Sequence, residues 1–150
     1  MSEKSQEKNM RKLADLLGRN LSYIWGEKES GPNGDKKVFL NTGKAFLRAL
    51  AKDLGLRNVK VTTSPGGIAI SGSCSLIGMW EENGIYIQIS QSCFGADHDV
   101  LYRTVQHSRD YTGGHNRWLT RRDLAHLSYR QLLDTFLSLS KEASSHEWAA

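Results

Sequence analysis

Alternating apolar and polar residues between Asn58 and Gln106 constrain the fold of this chain more than any other feature. In segment 85–90, three isoleucines at alternate positions point to one side of an extended chain, and a tyrosine, a glutamine and a serine point to the other. The dipeptide Asn83-Gly84 just before this segment is a strong short-range signal for a β-hairpin. One apolar side and one polar side predict an antiparallel sheet with one face in water.

Further segments with the same signature extend this sheet into a meander of four to five strands. They are 58–64, 68–71, 75–80, 85–90 and 100–106. A short additional strand is predicted at 36–40, where the sequence reads KKVFL. We expect these strands to follow one another in sequence and to pair as hairpins.

Helical spacing of apolar residues predicts two helices before the sheet. A disordered tail, 1–8, precedes a first helix over 9–25, and a flexible glycine-rich linker, 26–35, follows it. A second helix is predicted over 42–54. Asn41 or Thr42 is its expected N-cap, and Gly55 stands where a helix C-terminus favours glycine.

A last helix is predicted after the sheet. Thr120 is its expected N-cap, Asp123 reaches back as in a capping box, and Leu119 packs on Leu124 as a hydrophobic staple. This helix is expected to end near Ala143. The order α-α-β-β-β-β-α predicts an α+β fold with the helices on one face of the sheet, and residues 36–150 form a single domain.

The distribution of charge favours an anionic partner. The chain of 150 residues has a net charge of +4, and every Lys or Arg residue between Lys60 and Lys141 is an arginine. Arginine presents a rigid fork to phosphates and carboxylates and stacks on flat rings. No apolar run resembles a signal peptide or a bilayer-spanning helix, so we expect a cytoplasmic protein without a membrane partner.

Residues 107–122 hold the densest group of candidate functional side chains. They include four arginines, two histidines, a tyrosine, a tryptophan and a Gly-Gly pair. Glycines let a backbone approach a ligand closely, and a helix N-terminus carries partial positive charge. We therefore expect an anion-binding or nucleic-acid-binding site at this turn and at the start of the last helix. Its candidate residues are Arg109, Gly113, Gly114, His115, Arg117, Arg121 and Arg122.

Some residues in and near this stretch also have structural explanations. Gly-Gly is common in ordinary turns, and Trp118 is predicted to anchor the core. Arg103 shares a strand face with apolar residues, so it should lie at the sheet edge or be paired with Asp110 or Glu81. A second basic feature is a stripe along the second helix, formed by Lys44, Arg48 and Lys52. Such a stripe is either a secondary binding site or a solvated helix face.

The sequence gives little support for catalysis. Asp97, His98 and Asp99 are consecutive, so their side chains diverge in an extended segment and cannot all face one metal ion. Four possible zinc ligands are Cys93, His98, His107 and His115. Their spacing matches no established zinc pattern, and no hydrolase or phosphate-loop motif is present. We expect a binding protein without catalytic residues, cofactor or metal, and with both cysteines as reduced core thiols.

Several segments between Gly43 and Leu119 resemble small uncharacterised proteins encoded on phage and plasmid genomes. They are GKAFLRALAKDLGL, GGIAISG, IYIQIS, LYR and DYTGG with the Asn and Trp that follow. The resemblance implies an accessory or anti-defence role in a bacterial cell. The predicted function is therefore non-enzymatic binding of nucleic acid or nucleoprotein by a protein of a mobile genetic element. Two alternatives stay open: an inhibitor or adaptor that contacts an acidic protein surface, and a metal-dependent nuclease.

Overall fold

The computed structural model describes residues 2–19, 21, 34–65, 72–91, 96–110 and 114–142. The helices are α1 (Glu3–Leu17), α2 (Asp35–Asp53), α3 (Arg121–His126) and α4 (Tyr129–Leu137). The strands are β1 (Arg57–Ser64), β2 (Ser73–Met79), β3 (Gly84–Ser90), β4 (Val100–Val105) and β5 (Arg117–Leu119). Short 3-10 helices lie at Ala96–His98 and Ser138–Glu142. This order confirms the predicted α+β class.

Helix α1 begins and ends earlier than the apolar pattern predicted. The Ser2 hydroxyl accepts a hydrogen bond from the N–H of Ser5 and caps the helix, so residues 3–8 are helical and not a disordered tail. The helix ends at Leu17, before Gly18, and residues 22–25 of the predicted helix lie outside the described residues. Leu13 is fully buried, which makes α1 part of the common core.

Helix α2 contains the segment 36–40, so the prediction of a strand there is wrong. Phe39, Phe46 and Leu50 repeat at helical intervals and are at most 1% exposed. Because Phe39 belongs to this buried face, the helix begins as early as Asp35. Gly34 is the N-cap in place of Asn41 or Thr42. The described end of the predicted linker therefore belongs to α2, whereas residues 26–33 lie outside the described residues.

The sheet has the strand order β1-β2-β3-β4-β5, and each neighbouring pair is antiparallel. The pairing of β2 with β3 confirms the hairpin predicted at Asn83-Gly84. Residues 68–71, which were predicted as a strand, are not among those described. Strand β5 was not predicted, because three residues are too few to show an alternating pattern.

The last helical segment is two helices and not one. Thr120 and Asp123 form the predicted capping box at the start of α3. Leu127 is extended, and Ser128 with Gln131 forms a second capping box that begins α4. The sequence carries this second signal as Ser-x-x-Gln, and it breaks the helix that was expected to continue to Ala143. The described part of the chain ends in a 3-10 helix at Glu142.

The two faces of the sheet differ as the alternation predicted. The inner face carries buried apolar residues, and the helices pack against it; the ring of Tyr102, for example, meets Phe136 of α4 edge-on at 5.2 Å. Residues paired across antiparallel strands share a face of the sheet. On the face opposite the helices, the paired residues therefore form two parallel rows of side chains that run across the strands. One row consists of Lys60, Ile77, Tyr86 and Arg103, and the other of Thr62, Ser75, Gln88, Leu101 and Trp118. These nine residues form the open face.

Candidate anion-binding surfaces

The predicted site at residues 107–122 is divided by the fold into parts with different surroundings. Residues 117–122 comprise strand β5, the N-cap Thr120 and the start of α3, and all of them except Trp118 form the β5–α3 corner. Arg109 and His115 are exposed in the connection between β4 and β5. The predicted residue Gly113 lies outside the described residues.

Arg117 in the corner is bound to a carboxylate of the same chain. Its two terminal nitrogens donate to the two oxygens of Glu142 at 2.7 and 2.6 Å. This bidentate pair raises the pKa of Arg117 above its usual value, because the hydrogen bonds to Glu142 favour the charged form. An external anion would have to displace Glu142 to use this guanidinium in the same way.

Arg121 in the corner neutralises a buried carboxylate. Its Nε donates to Oδ2 of Asp99 at 2.7 Å, and the Asp99 side chain is 0% exposed. Burial of an unpaired carboxylate costs several kcal/mol, so this partner stabilises the fold directly. Arg121 is therefore a structural residue, whereas Arg122 is exposed and makes no ion pair with the described part of the chain.

The N-terminus of α3 is occupied by its own capping box. The Thr120 hydroxyl accepts from the N–H of Asp123, and the Asp123 carboxylate accepts from the N–H of Thr120 at 2.8 Å. The carboxylate at this short helix start already supplies the negative charge that a helix dipole favours. The carboxylate of Asp123 therefore already occupies the place where an external anion was expected to bind.

Gly114 has a packing role in the turn before β5. Its φ is +71°, and a Cβ atom there would lie 2.5 Å from the Thr104 hydroxyl and 2.7 Å from the Thr104 carbonyl oxygen. The turn therefore approaches β4 so closely that a side chain at this position would overlap it. His115 beside it is exposed.

Trp118 is not the core anchor that was predicted. It is 42% exposed, and Leu101 is its partner across β4 on the open face. The core position is taken instead by Leu119, which packs against the buried cluster. The ring of His98 contacts the indole edge-on, with centroids 4.9 Å apart, and so limits the orientations available to it.

A polar concavity of about 710 Å³ lies on the open face. Strands β1 to β4 form its floor, and the connection between β4 and β5 forms its rim. Its lining consists of Asn58, Lys60, Thr62, Ser75, Ile77, Tyr86, Leu101, Arg103, Ser108, Arg109, Asp110 and Asn116. A volume of this size is sufficient for a small ligand or for part of a polymer.

The centre of this concavity is a network around Arg103. The guanidinium carbon lies 5.1 Å from the ring centroid of Tyr86, and Nη2 donates to the Asp110 carbonyl oxygen at 2.9 Å. Asp110 is thus one of the two residues that were predicted to pair with Arg103, although it accepts this hydrogen bond through its backbone carbonyl and not through its carboxylate. The Asp110 carboxylate accepts from the N–H of Gln106 at 2.9 Å, which holds the rim in place.

Tyr86 is a neutral aromatic surface in this network. Burial raises the pKa of Tyr86 above that of an ordinary phenol, and the charge of Arg103 opposes the shift only in part. Its hydroxyl donates to Oε1 of Gln88 at 2.7 Å. The ring therefore adds no negative charge to the concavity near neutral pH.

Two further cations border the concavity and are exposed. Lys60 lies on the edge strand β1, and Arg109 lies on the rim. Neither forms an ion pair with another residue of the described ranges. Of the arginines predicted to bind an anion, only Arg109 lies at this concavity.

The basic stripe of Lys44, Arg48 and Lys52 lies elsewhere. All three residues are on α2, which packs on the inner face through residues such as Leu47 and Leu50. Arg48 and Lys52 are exposed on the helix layer, on the other side of the sheet from the open face. The stripe and the open face are therefore separate basic surfaces.

The described residues contain neither a cluster of potential metal ligands nor a thiol of lowered pKa. No group of three or more His, Cys, Asp or Glu residues that could hold a metal occurs in the described ranges, which exclude Cys93. Cys74 is a buried free thiol, as predicted, and burial raises its pKa to about 12. A thiol with so high a pKa is a poor nucleophile near neutral pH.

Lys60 and Tyr86 were missed as candidate site residues. The alternation of 58–64 and 85–90 already indicated that both point to the wet face, but only strand order shows that they share one concavity with Arg103. The site was predicted at residues 107–122 instead, because arginines are densest there in the sequence.

Comparison with other proteins identifies no relative: no family model, no curated protein and no solved structure matches this chain. None of the helices in the described part of the chain is long and apolar enough to cross a membrane.

Proposed function

We propose that this protein binds nucleic acid without catalysing a reaction, and that the binding surface is the open face together with the rim residue Arg109. The observation that carries the proposal is the polar concavity on that face. It combines three cationic side chains with an aromatic ring on the side of the sheet opposite the described helices. Phosphates attract the cations, and flat bases stack on rings and guanidinium planes.

The charge of the concavity favours an anionic ligand. Lys60, Arg103 and Arg109 contribute positive charge, and the one carboxylate among the described lining residues, that of Asp110, accepts a backbone hydrogen bond. Lys60 and Arg109 can meet phosphates without first losing an internal ion pair with the described residues. This separates them from Arg117 and Arg121, which hold carboxylates.

A binding role is favoured over the nuclease alternative by the composition of the concavity. Its described lining contains neither a histidine nor a cysteine, and only one carboxylate. A metal nuclease needs several carboxylates or histidines that converge on an ion. The phage or plasmid context and the cytoplasmic location remain predictions from the sequence, which genomic neighbours and cell fractionation would test.

The proposal is tested by the salt dependence of binding to a fluorescently labelled oligonucleotide. Phosphate contacts should make the affinity fall linearly on a log-log plot, with a slope of about −0.7 per contact for a single strand. The double variant Lys60→Ala with Arg109→Ala should weaken binding. It should also make the slope less steep by about 1.4, because two phosphate contacts are lost.

A charge-matched control is Lys8→Ala with Lys12→Ala, because both lysines are exposed on α1 in the helix layer. This variant should bind like the wild type. Arg48→Ala with Lys52→Ala tests the α2 stripe in the same assay. No salt-dependent binding, or equal losses in all three variants, would contradict the assignment to the open face.

A pull-down from a bacterial lysate, with and without nuclease, separates this proposal from the inhibitor or adaptor alternative. Partners that disappear after nuclease treatment support nucleic-acid binding. A protein partner that persists after nuclease and is lost in the Lys60 and Arg109 variant would show that the same cations contact an acidic protein surface.

A further inference from the structure

We infer that the nucleic acid bound on the open face is single-stranded and that one of its unpaired bases stacks on the indole of Trp118. This inference rests on the proposed function and specifies its ligand. It starts from the exposure of Trp118, one of two large apolar side chains exposed by more than a third among the described residues. The other, Val59, lies on the edge strand β1 and has no ring.

The indole is positioned for stacking. Trp118 lies on the short strand β5, which is hydrogen-bonded to β4, and its ring meets His98 edge-on at 4.9 Å. A ring held by a strand and a neighbouring ring loses little conformational freedom when a base stacks on it. Its strand partner Leu101 lines the concavity, so Trp118 continues the same surface.

The two rows of the open face match the two chemical parts of a nucleic-acid strand. The first row carries the exposed Lys60 and the buried Arg103, which is 7% exposed, and Arg109 lies on the nearby rim, so Lys60 and Arg109 can contact phosphates on this side. The second row is uncharged: hydroxyl and amide groups can bond base edges, and Trp118 can stack. Neighbouring side chains on one face of a strand are about 7 Å apart along it, so phosphates and bases can be contacted together.

A duplex does not fit this arrangement. Its bases are stacked on one another, and its major groove admits a helix or a two-stranded ribbon rather than the face of a five-stranded sheet. A duplex could touch Lys60 and Arg109 with its phosphates but could not place a base on Trp118. A single strand can do both, because its bases are free to turn outward.

The test compares three fluorescently labelled probes with strands of about 12 nucleotides, a length within the range of known binding-site sizes for single strands. They are oligothymidylate, a blunt-ended duplex without unpaired bases, and an abasic oligodeoxynucleotide that keeps the phosphates but lacks bases. Oligouridylate, measured in parallel, tests whether RNA binds in place of DNA. Oligothymidylate should bind the intact chain at least about 10-fold more tightly than the duplex or the abasic probe. Trp118→Ala should weaken its binding by about 5- to 150-fold, the range expected for loss of one stacked base.

The abasic probe is the decisive control. Trp118→Ala should leave its affinity unchanged, and Trp118→Phe should retain part of the gain for oligothymidylate. Trp118 is exposed, so both variants should fold, which circular dichroism checks. Equal affinity for all probes with a normal salt slope would overturn single-strand stacking and leave phosphate binding intact. No binding to any probe at low salt would overturn both.

Discussion

The β5–α3 corner and the open face are both basic, but their cations are used differently. In the corner, Arg117 binds Glu142 through two hydrogen bonds and Arg121 binds the buried Asp99. On the open face and its rim, Lys60 and Arg109 are exposed and make no ion pair with the described residues. The corner has the higher density of arginine in the sequence, yet the open face has more charge available to a ligand.

This difference shows that the density of arginine in a sequence does not measure the charge that is available to a ligand. What matters is whether carboxylates of the same chain reach the guanidinium groups first. A partnered arginine already has the charge-assisted bonds that a phosphate would offer, so exchange of one anion for another gains little. The comparison predicts that corner substitutions mainly change stability and that open-face substitutions mainly change binding.

The largest expected effect on stability is that of Arg121→Ala. It leaves the carboxylate of Asp99, which is 0% exposed, without its guanidinium partner. Loss of one member of such a pair should lower the free energy of unfolding by about 3 kcal/mol. Urea denaturation measures this change. In an Asp99→Asn background the same substitution should cost less than about 1 kcal/mol, and an equal cost in both backgrounds would show that the pair does not stabilise the fold.

Gly114→Ala should be nearly as damaging, by about 2–3 kcal/mol, because it combines left-handed backbone strain with overlap on Thr104. Gly55→Ala is the matched control. Gly55 has a φ of +70°, but nothing lies within 4 Å of a Cβ atom there. Backbone strain alone should cost this control about 1–2 kcal/mol. Equal unfolding free energies for the two variants would contradict the packing role of Gly114. The turn at Gly114 would then again be a candidate for contact with a ligand.

Arg117→Ala should cost less, about 1 kcal/mol, because the pair with Glu142 is partly exposed, at 36% and 30% of the two side chains. A double-mutant cycle with Glu142→Gln should give a coupling energy of the same size, reduced by added salt. Zero coupling energy would mean that Glu142 does not bind Arg117 in solution. The guanidinium of Arg117 would then be available to a ligand.

The sequence was sufficient for the features that depend on local pattern. Alternation in 85–90 placed Tyr86 on the wet face, and the Thr120 and Asp123 capping box gave the start of α3. The ion pairs were not predictable, because their partners are 25 and 22 residues apart and meet only in the folded chain. The position of Trp118 was missed for a related reason: its strand is three residues long, so which side of the chain faces the core is set by pairing with β4.

Arg109 and Arg122 give the most direct test of the comparison, with the smallest expected effect on stability. Both are exposed arginines from the same predicted site, and neither forms an ion pair within the described ranges, so each change to alanine should alter unfolding free energy by less than about 0.5 kcal/mol. Only their positions differ: Arg109 lies at the concavity of the open face, and Arg122 lies beside Arg11 and Ala125 between α1 and α3.

Arg109→Ala should therefore weaken oligonucleotide binding roughly 5-fold, about 1 kcal/mol, whereas Arg122→Ala should change it by less than about 2-fold. The reverse result, with Arg122→Ala the weaker binder, would place the nucleic acid at the β5–α3 corner. Because the two substitutions remove the same charge from the same chain, a general effect of net charge predicts equal losses. A difference between them can only come from where the fold has put each guanidinium.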